Sequence, residues 1–343
     1  MPDFSNEALL NQRQKLRELA QGFRQSQVLL TCVELGVFEA LNEGPAAASE
    51  VAHRIGAEPR GMELLLNAAA ALDLVEKSEG RFGNNPLVAA CLLPGAAGTM
   101  LRSFQMQTAF YQRWGHLAEA VRSGKRPEGN RSDEAPDSWI ENFVNGLYTM
   151  ARPIAPGIAE SLVLPEDRPL RVIDVGGCHG AYSMSLAQRY PLLQATVFDL
   201  PRVVPVARRI IREAGMAERV TVLEGDFQRE ELGRGYDLAL VFGVLNGEPP
   251  EGRPALIRKV FAALNPGGQI VLRDFVLDPD RAGPPEAAIF ALQMLLATES
   301  GGLDTRADWD RWLTEAGFLP AQEIALPDWV GSSLTSARKP DNG

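Results

Sequence analysis

Cysteine and histidine are scarce in this sequence of 343 residues. The three cysteines, Cys32, Cys91 and Cys178, lie far from one another, and the three histidines, His53, His116 and His179, are likewise scattered. That spacing gives neither a disulfide framework nor a zinc site, so a reducing, cytoplasmic setting and no metal are expected. No run of 18 or more apolar residues occurs, so no membrane-spanning helix and no membrane partner are expected. The first fifteen residues carry an acid at Asp3 and no apolar core, and do not read as a secretory signal. Positive charge is also short: 34 Lys and Arg against 44 Asp and Glu leave a net charge of −10. Phosphate backbones call for a basic surface, so nucleic acid is not expected as the main partner.

The N-terminal part is helical by its apolar spacing. Leu9, Leu10, Leu16, Leu19, Phe23, Val28 and Leu29 recur at helical intervals over residues 7–30. Short helices follow near Ala47–Ala52 and Glu58–Ala71, then a hairpin with the polar tip Lys77-Ser78-Glu79-Gly80. Helices followed by a hairpin is the order of a winged helix. Residues 1–100 hold eight Lys or Arg against twelve Asp or Glu, and the would-be recognition helix carries Glu58 and Glu63. A helix that reads a DNA groove is basic or amide-rich, so a packing role is expected instead. The leading helices are more apolar than a lone surface needs, which suits a dimer interface.

Helices are expected over residues 98–123 and 139–151, with a Gly- and Pro-rich loop over 124–137 between them. After Pro165-Glu166-Asp167-Arg168-Pro169 the pattern changes to strands alternating with helices. Strands are expected at Arg171–Val175, Ala195–Leu200, Val220–Glu224, Leu238–Phe242 and Gln269–Phe275. Helices of 10–15 residues between them predict an α/β fold with a doubly wound, mostly parallel sheet.

Three strand ends carry the candidate ligand chemistry. The first runs into Asp174-Val175-Gly176-Gly177-Cys178-His179-Gly180, where glycines let the backbone turn and approach a ligand. The second ends in Asp199, placed to accept hydrogen bonds from two ribose hydroxyls. The third ends in Gly225-Asp226-Phe227, an acid and an aromatic suited to an adenine. A single glycine turn has a purely structural explanation; three such strand ends together point to an adenosine-bearing cofactor at the carboxyl edge. The Gly-Gly-x-x-Gly spacing and the acid Asp174 before it count against NAD.

These segments, with Asp199-Leu200-Pro201, Asn265-Pro266-Gly267-Gly268 and Glu315-Ala316-Gly317-Phe318, resemble the S-adenosylmethionine (SAM)-dependent O-methyltransferases of plant and bacterial secondary metabolism. The resemblance covers nearly the whole chain. It implies a Rossmann-like SAM-binding domain at residues 166–343, a winged-helix dimerisation domain at 1–98, and a helical linker at 99–165 lining the acceptor pocket. It further implies a homodimer, a hydrophobic aromatic, polyketide-like or tetrapyrrole acceptor, and cofactor contacts from Asp174, Gly176, Gly177, Asp199, Asp226 and Phe227. Phe242 stands where many members carry a cofactor-contacting lysine. Phe110, Trp114, Met150 and Met294 fall on helices that would wall the acceptor, although ordinary helix packing explains each alone.

The chain departs from the family at its catalytic position. Asn246 stands where members carry the histidine that deprotonates the acceptor, and an amide takes no proton near neutral pH. The two glutamates that orient that histidine align with Asp274 and Asp304. Glu248, Asp274 and His116 are alternative bases. Three outcomes stay open at this point: O- or C-methylation without the histidine, a SAM-assisted reaction that transfers no methyl, and a non-catalytic SAM-binding scaffold. His179 is expected to be an exposed loop residue, and Cys178 a small neutral filler.

Overall fold

A computed structural model describes residues 6–128, 136–326 and 334–341. Two compact units divide the chain, one up to Phe110 and one from Tyr111 onward. Part of the loop expected over 124–137 lies outside the described residues.

The first unit opens with α1 (Asn6–Gln21), α2 (Phe23–Glu34), α3 (Val37–Ala40), α4 (Ala48–Ile55) and α5 (Pro59–Ala71). The single helix expected over 7–30 is interrupted at Gly22. Glu50 reaches back to the Ala47 N–H at the start of α4, and Glu58 accepts from the N–H groups of Arg60 and Gly61 at the start of α5. Each satisfies amides that the first helical turn leaves unpaired. An antiparallel hairpin follows, β1 (Val75–Ser78) with β2 (Arg81–Asn84), then α6 (Pro86–Leu92) and α7 (Leu101–Trp114), on which the unit boundary falls. Phe38, Met62, Leu66 and Phe82 are at most 2% exposed and centre this unit's core. On α1 and at the start of α2, Leu9, Leu10, Leu16, Leu19 and Phe23 are all exposed.

The second unit begins with α8 (Leu117–Ser123), α9 (Asp137–Ala151) and α10 (Ala155–Ser161). The helix expected over 98–123 is thus two, broken at Gly115-His116. Then come β3 (Leu170–Val175), α11 (Ala181–Arg189), β4 (Leu193–Asp199), α12 (Val204–Glu213), β5 (Val220–Glu224), β6 (Tyr236–Phe242), α13 (Gly252–Ala263) and β7 (Leu264–Arg273). The chain closes with β8 (Val276–Leu277), α14 (Pro285–Ala297), β9 (Asp304–Thr305), α15 (Arg306–Ala316), β10 (Gln322–Ile324) and β11 (Leu334–Arg338).

Seven strands form one sheet in the order β10-β11-β7-β6-β3-β4-β5. The five strands from β7 to β5 are parallel, and β11 runs antiparallel to both β7 and β10. Alternate residues of the inner strands feed two cores. Val172, Ala195, Val197, Leu238 and Leu240 pack with α9–α12, whereas Ile173, Phe198, Ala239, Val241 and Ile270 pack with α13 and α15. This alternation makes the sheet doubly wound. The chain leaves β3 toward β4 on one side and returns to β6 on the other, so the carboxyl end of β3 is the switch point where such sheets hold ligands.

Candidate active site

The glycine loop leaves β3 with no room for side chains. Gly176 has φ +63°, and a Cβ there would lie 2.7 Å from Val244 Cγ2. A Cβ on Gly177 would stand 2.5 Å from the Asp174 carboxyl carbon. Asp174 is 1% exposed; one of its oxygens accepts from Ser183 Oγ at 2.7 Å, and the other has no partner. Burial, against the Ser183 hydrogen bond, pushes its carboxyl up to about 7.

Asp199 closes the loop from the end of β4. Its Oδ2 accepts from the Cys178 N–H at 2.8 Å and its Oδ1 from the Leu200 N–H at 2.7 Å. Each oxygen keeps a lone pair for a further donor. Burial pushes the carboxyl up to about 6, against those two amides. Beyond β5, Asp226 accepts from the Gln228 N–H and lies 3.5 Å from Arg229 Nε. The Lys259 ammonium ties down the same turn through the carbonyls of Phe227, Gln228 and Glu230. Phe242 ends β6 and meets Tyr182 edge to face at 5.0 Å.

His179 corrects the expectation of an exposed loop residue. It is 5% exposed, packs between Tyr148 and Tyr182, and accepts the Ala181 N–H on Nδ1. Burial lowers its imidazole to about 4, so the ring is neutral. Tyr182 follows the loop directly on α11, whereas Tyr148, on α9, supplies a side of the enclosure that the loop itself does not announce. Cys178 is half-buried with φ +49°, its thiol raised well above the usual range by burial and by Asp199 and Asp174.

Asn246 lies on the buried turn after β6. Its Nδ2 donates to Asp274 Oδ1 at 2.7 Å and its backbone N–H to Asp274 Oδ2 at 3.3 Å. One Nδ2 hydrogen is committed to Asp274, so Oδ1 faces away from that carboxylate as the side chain's acceptor, and Nδ2 keeps a second hydrogen to donate. Burial pushes Asp274 up to about 6, opposed by the bonds from Asn246 and Phe275. Asp304 does not meet the Asn246 side chain: it forms a buried ion pair with Arg253. Arg253 also donates from Nε to the Glu248 carbonyl, while the Gly302 N–H donates to the Asn246 carbonyl. The pair thereby pins the 301–304 segment to the 246–248 turn. Arg253 is a residue that sequence reasoning missed.

Of the alternative bases, His116 is exposed and faces Glu119, and Glu248 accepts with both oxygens from Gln228 Nε2. Only Asp274 is bonded to Asn246. Trp114 is held to α14 by its Nε1, which donates to Gln293 Oε1 at 2.6 Å, and Met294, the next residue on that helix, is buried. Met150 is exposed on α9, and Phe110 is half-buried on α7 in the first unit.

Removal of one partner from the Arg253–Asp304 pair strands a buried charge. Arg253→Met is expected to lower unfolding stability by about 3–5 kcal/mol in urea titrations. The double change Arg253→Met with Asp304→Leu should recover most of the loss; no recovery would mean that the pair is not the cause.

An O-methyltransferase domain signature matches residues 166–319, and an O-methyltransferase dimerisation domain signature matches residues 17–94. The chain is 34% identical over 314 residues to 3-hydroxy-5-methyl-1-naphthoate 3-O-methyltransferase of Streptomyces sahachiroi, covering 90% of each protein. It is 35% identical over 328 residues to mouse acetylserotonin O-methyltransferase, covering 88% of this chain and 83% of that one. Among solved structures, human N-acetylserotonin methyltransferase in complex with SAM superposes with a TM-score of 0.82 at 28% identity over 99% of both chains. With this sheet order, glycine loop and set of strand-end acids, the chain belongs to the SAM-dependent O-methyltransferase family, and its cofactor is SAM.

Proposed function

We propose that this methyltransferase methylates a hydroxyl on a fused aromatic, polyketide-type ring, and that the hydroxyl reacts as its phenolate without a protein base. The carrying observation is Asn246: an amide held by one Nδ2 hydrogen on Asp274, with Oδ1 left as an acceptor, at the place where the family removes a proton. Oδ1 accepts a hydrogen bond from a hydroxyl and so positions it, but takes no proton. The fused-ring acceptor is supported by the naphthoate and acetylserotonin enzymes among the relatives.

The residues at the carboxyl edge of the sheet fit the cofactor. Asp199 would take the ribose hydroxyls on its remaining lone pairs. Asp226 and Phe227 would hold the adenine, and the cradle at Gly176 and Gly177 would admit the rest of the molecule where a Cβ collides. Asp174 lies beneath that cradle as its support, and Phe242 packs beside Tyr182 at the same edge. SAM supplies an electrophilic methyl on a sulfonium. The protein's part is to orient the acceptor oxygen and to hold the Asn246 turn through Asp274 and the Arg253–Asp304 pair; in-line placement accounts for most of such a rate.

Incubation with methyl-labelled SAM and hydroxylated naphthalenes and anthraquinones tests the proposal. One S-adenosylhomocysteine (SAH) per labelled ether supports it. Folded protein that binds SAM and labels none of these phenols contradicts it.

The enzyme works as a cytoplasmic homodimer, the exposed apolar residues of α1 and the start of α2 covered by a second copy. Five large apolar side chains so exposed are more than a monomer's solvated helix carries. Leu16→Glu with Leu19→Glu is expected to halve the mass seen by light scattering. An unchanged mass would place the interface elsewhere.

A further inference from the structure

Helix α14 reads Pro285-Glu286-Ala287-Ala288-Ile289-Phe290-Ala291-Leu292-Gln293-Met294-Leu295-Leu296-Ala297, apolar throughout its interior except for Gln293. Gln293 is 6% exposed. Its amide orientation is fixed chemically: Trp114 Nε1 is a donor only, so the oxygen of Gln293 must face it, as it does at 2.6 Å. That leaves Nε2 pointing the other way, buried and without a hydrogen-bond partner. A buried donor without an acceptor is costly, and Leu or Met would fill the same volume without that cost. Packing therefore does not explain the glutamine.

Its position does. The Met294 carbonyl accepts from Thr298 Oγ1, Thr298 Oγ1 accepts from the Gly301 N–H, and the Gly302 N–H donates to the Asn246 carbonyl. A continuous run of bonds thus joins this turn of α14 to the residue that positions the acceptor hydroxyl.

We propose that Gln293 is a specificity-determining residue whose Nε2 donates to a carbonyl oxygen on the acceptor's ring system, away from the hydroxyl that is methylated. Trp114 is its positioning residue. The proposal rests on the reading that Asn246 marks the acceptor hydroxyl, and it deepens that reading by naming a hydroxylated aromatic ketone or quinone as the acceptor class. A hydrogen-bonding site discriminates strongly against an analogue that lacks the bonding oxygen, because its own polar group is then left unpaired.

The test uses matched ligands titrated into the SAH-loaded protein: 6-hydroxy-1-tetralone against 6-hydroxytetralin, and 2-hydroxyanthraquinone against 2-hydroxyanthracene. The wild-type protein is expected to bind the carbonyl member at least tenfold more tightly. In Gln293→Leu the preference should fall to within twofold, and in Gln293→Glu, which offers an acceptor in place of the donor, it should vanish or reverse. Trp114→Phe, which frees the amide to turn, should reduce the preference severalfold. In turnover, KM for the carbonyl acceptors should move far more than kcat. A SAM titration of each variant checks the fold, and Gln293→Met stands in if the leucine variant fails that check. An absent wild-type preference, no binding of either member, or a preference unchanged in Gln293→Leu overturns the proposal. Failure of methyl transfer with the preference intact would sink the phenol-methylation reading instead.

Discussion

Asn246→His is expected to raise kcat/KM for a weakly acidic phenol by about 10²-fold at pH 7, the lower end of what a positioned general base contributes. The surroundings are already arranged for an imidazole. Asp274 accepts from the Asn246 side chain at 2.7 Å, where a carboxylate would orient a histidine ring and stabilise its charged form. The sign with pH is equally specific. In the wild type, kcat/KM should climb about tenfold per pH unit until the acceptor's own phenol is ionised, near 10 for an unperturbed phenol. More acidic phenols should react faster at neutral pH. In the variant the profile should level off at the imidazole pKa, which the Asp274 carboxylate holds above the unperturbed value of about 6.5. Initial rates across pH with two phenols of different acidity decide the matter. A wild-type profile already flat from pH 7, independent of the acceptor, would mean that a side chain of the protein takes the proton.

Loss of the Asp199 carboxylate is expected to cost at least about 100-fold in SAM affinity, since each hydrogen bond to a charged acceptor contributes about 1.5–3 kcal/mol and two ribose hydroxyls are involved. Asp199→Ala and Asp199→Asn should both show it by calorimetry. The affinity should also depend on pH. Burial holds this carboxyl at about 6 in the free protein, and SAM binding favours its ionised form. Affinity should therefore rise about tenfold per unit up to pH 6 and stay level above. The asparagine variant should lack that slope. The free fold holds this proton more tightly than the unfolded chain does. The stability it lends is thus fully present below the ordinary carboxylate range and lost as pH rises through about 6. Bound SAM and the free fold pull Asp199 in opposite directions, a cost of placing an acid in the bend of the loop.

Much of this architecture was legible because the apolar period changes at Pro169. Val172, Ile173, Leu238 and Ala239 belong to strands buried on both faces, and such strands read as short apolar runs between helices. The C-terminal pair β10 and β11 was not legible. Thr335 and Ser336 are buried on β11, which pairs with β10 and β7, yet they read as polar and so break the apolar run that marks the other inner strands. The residues proposed to hold the cofactor stood out since they lie at or just beyond strand ends, where local sequence and position coincide. On the acceptor side Trp114 was named but its partner was not: Gln293 lies 179 residues away and is joined to it only by the fold. Arg253 escaped notice for the same reason. An arginine on a helix reads as solvated, and only its burial against Asp304 shows otherwise.

The turn at Gly225 shows how tightly the edge of the sheet is built. A side chain there would collide with the Phe198 ring, one residue before Asp199 on the neighbouring strand. Glycine thus lets β5 end close against β4, beside Asp199. The same economy holds at the 246–248 turn, where the Asn246 carbonyl would meet any Cβ at Gly301. The segment carrying Asp304 comes that near only because no side chain intervenes.

Calorimetric titration of the wild-type protein with SAM, and separately with SAH, at pH 7.5 is the most direct measurement of the central claim. Saturable binding of both ligands at one site per chain, abolished by Asp199→Ala in protein that stays folded, is the predicted result. A folded protein that gives no binding heat with either ligand, or that binds them equally well without the Asp199 carboxylate, would contradict it.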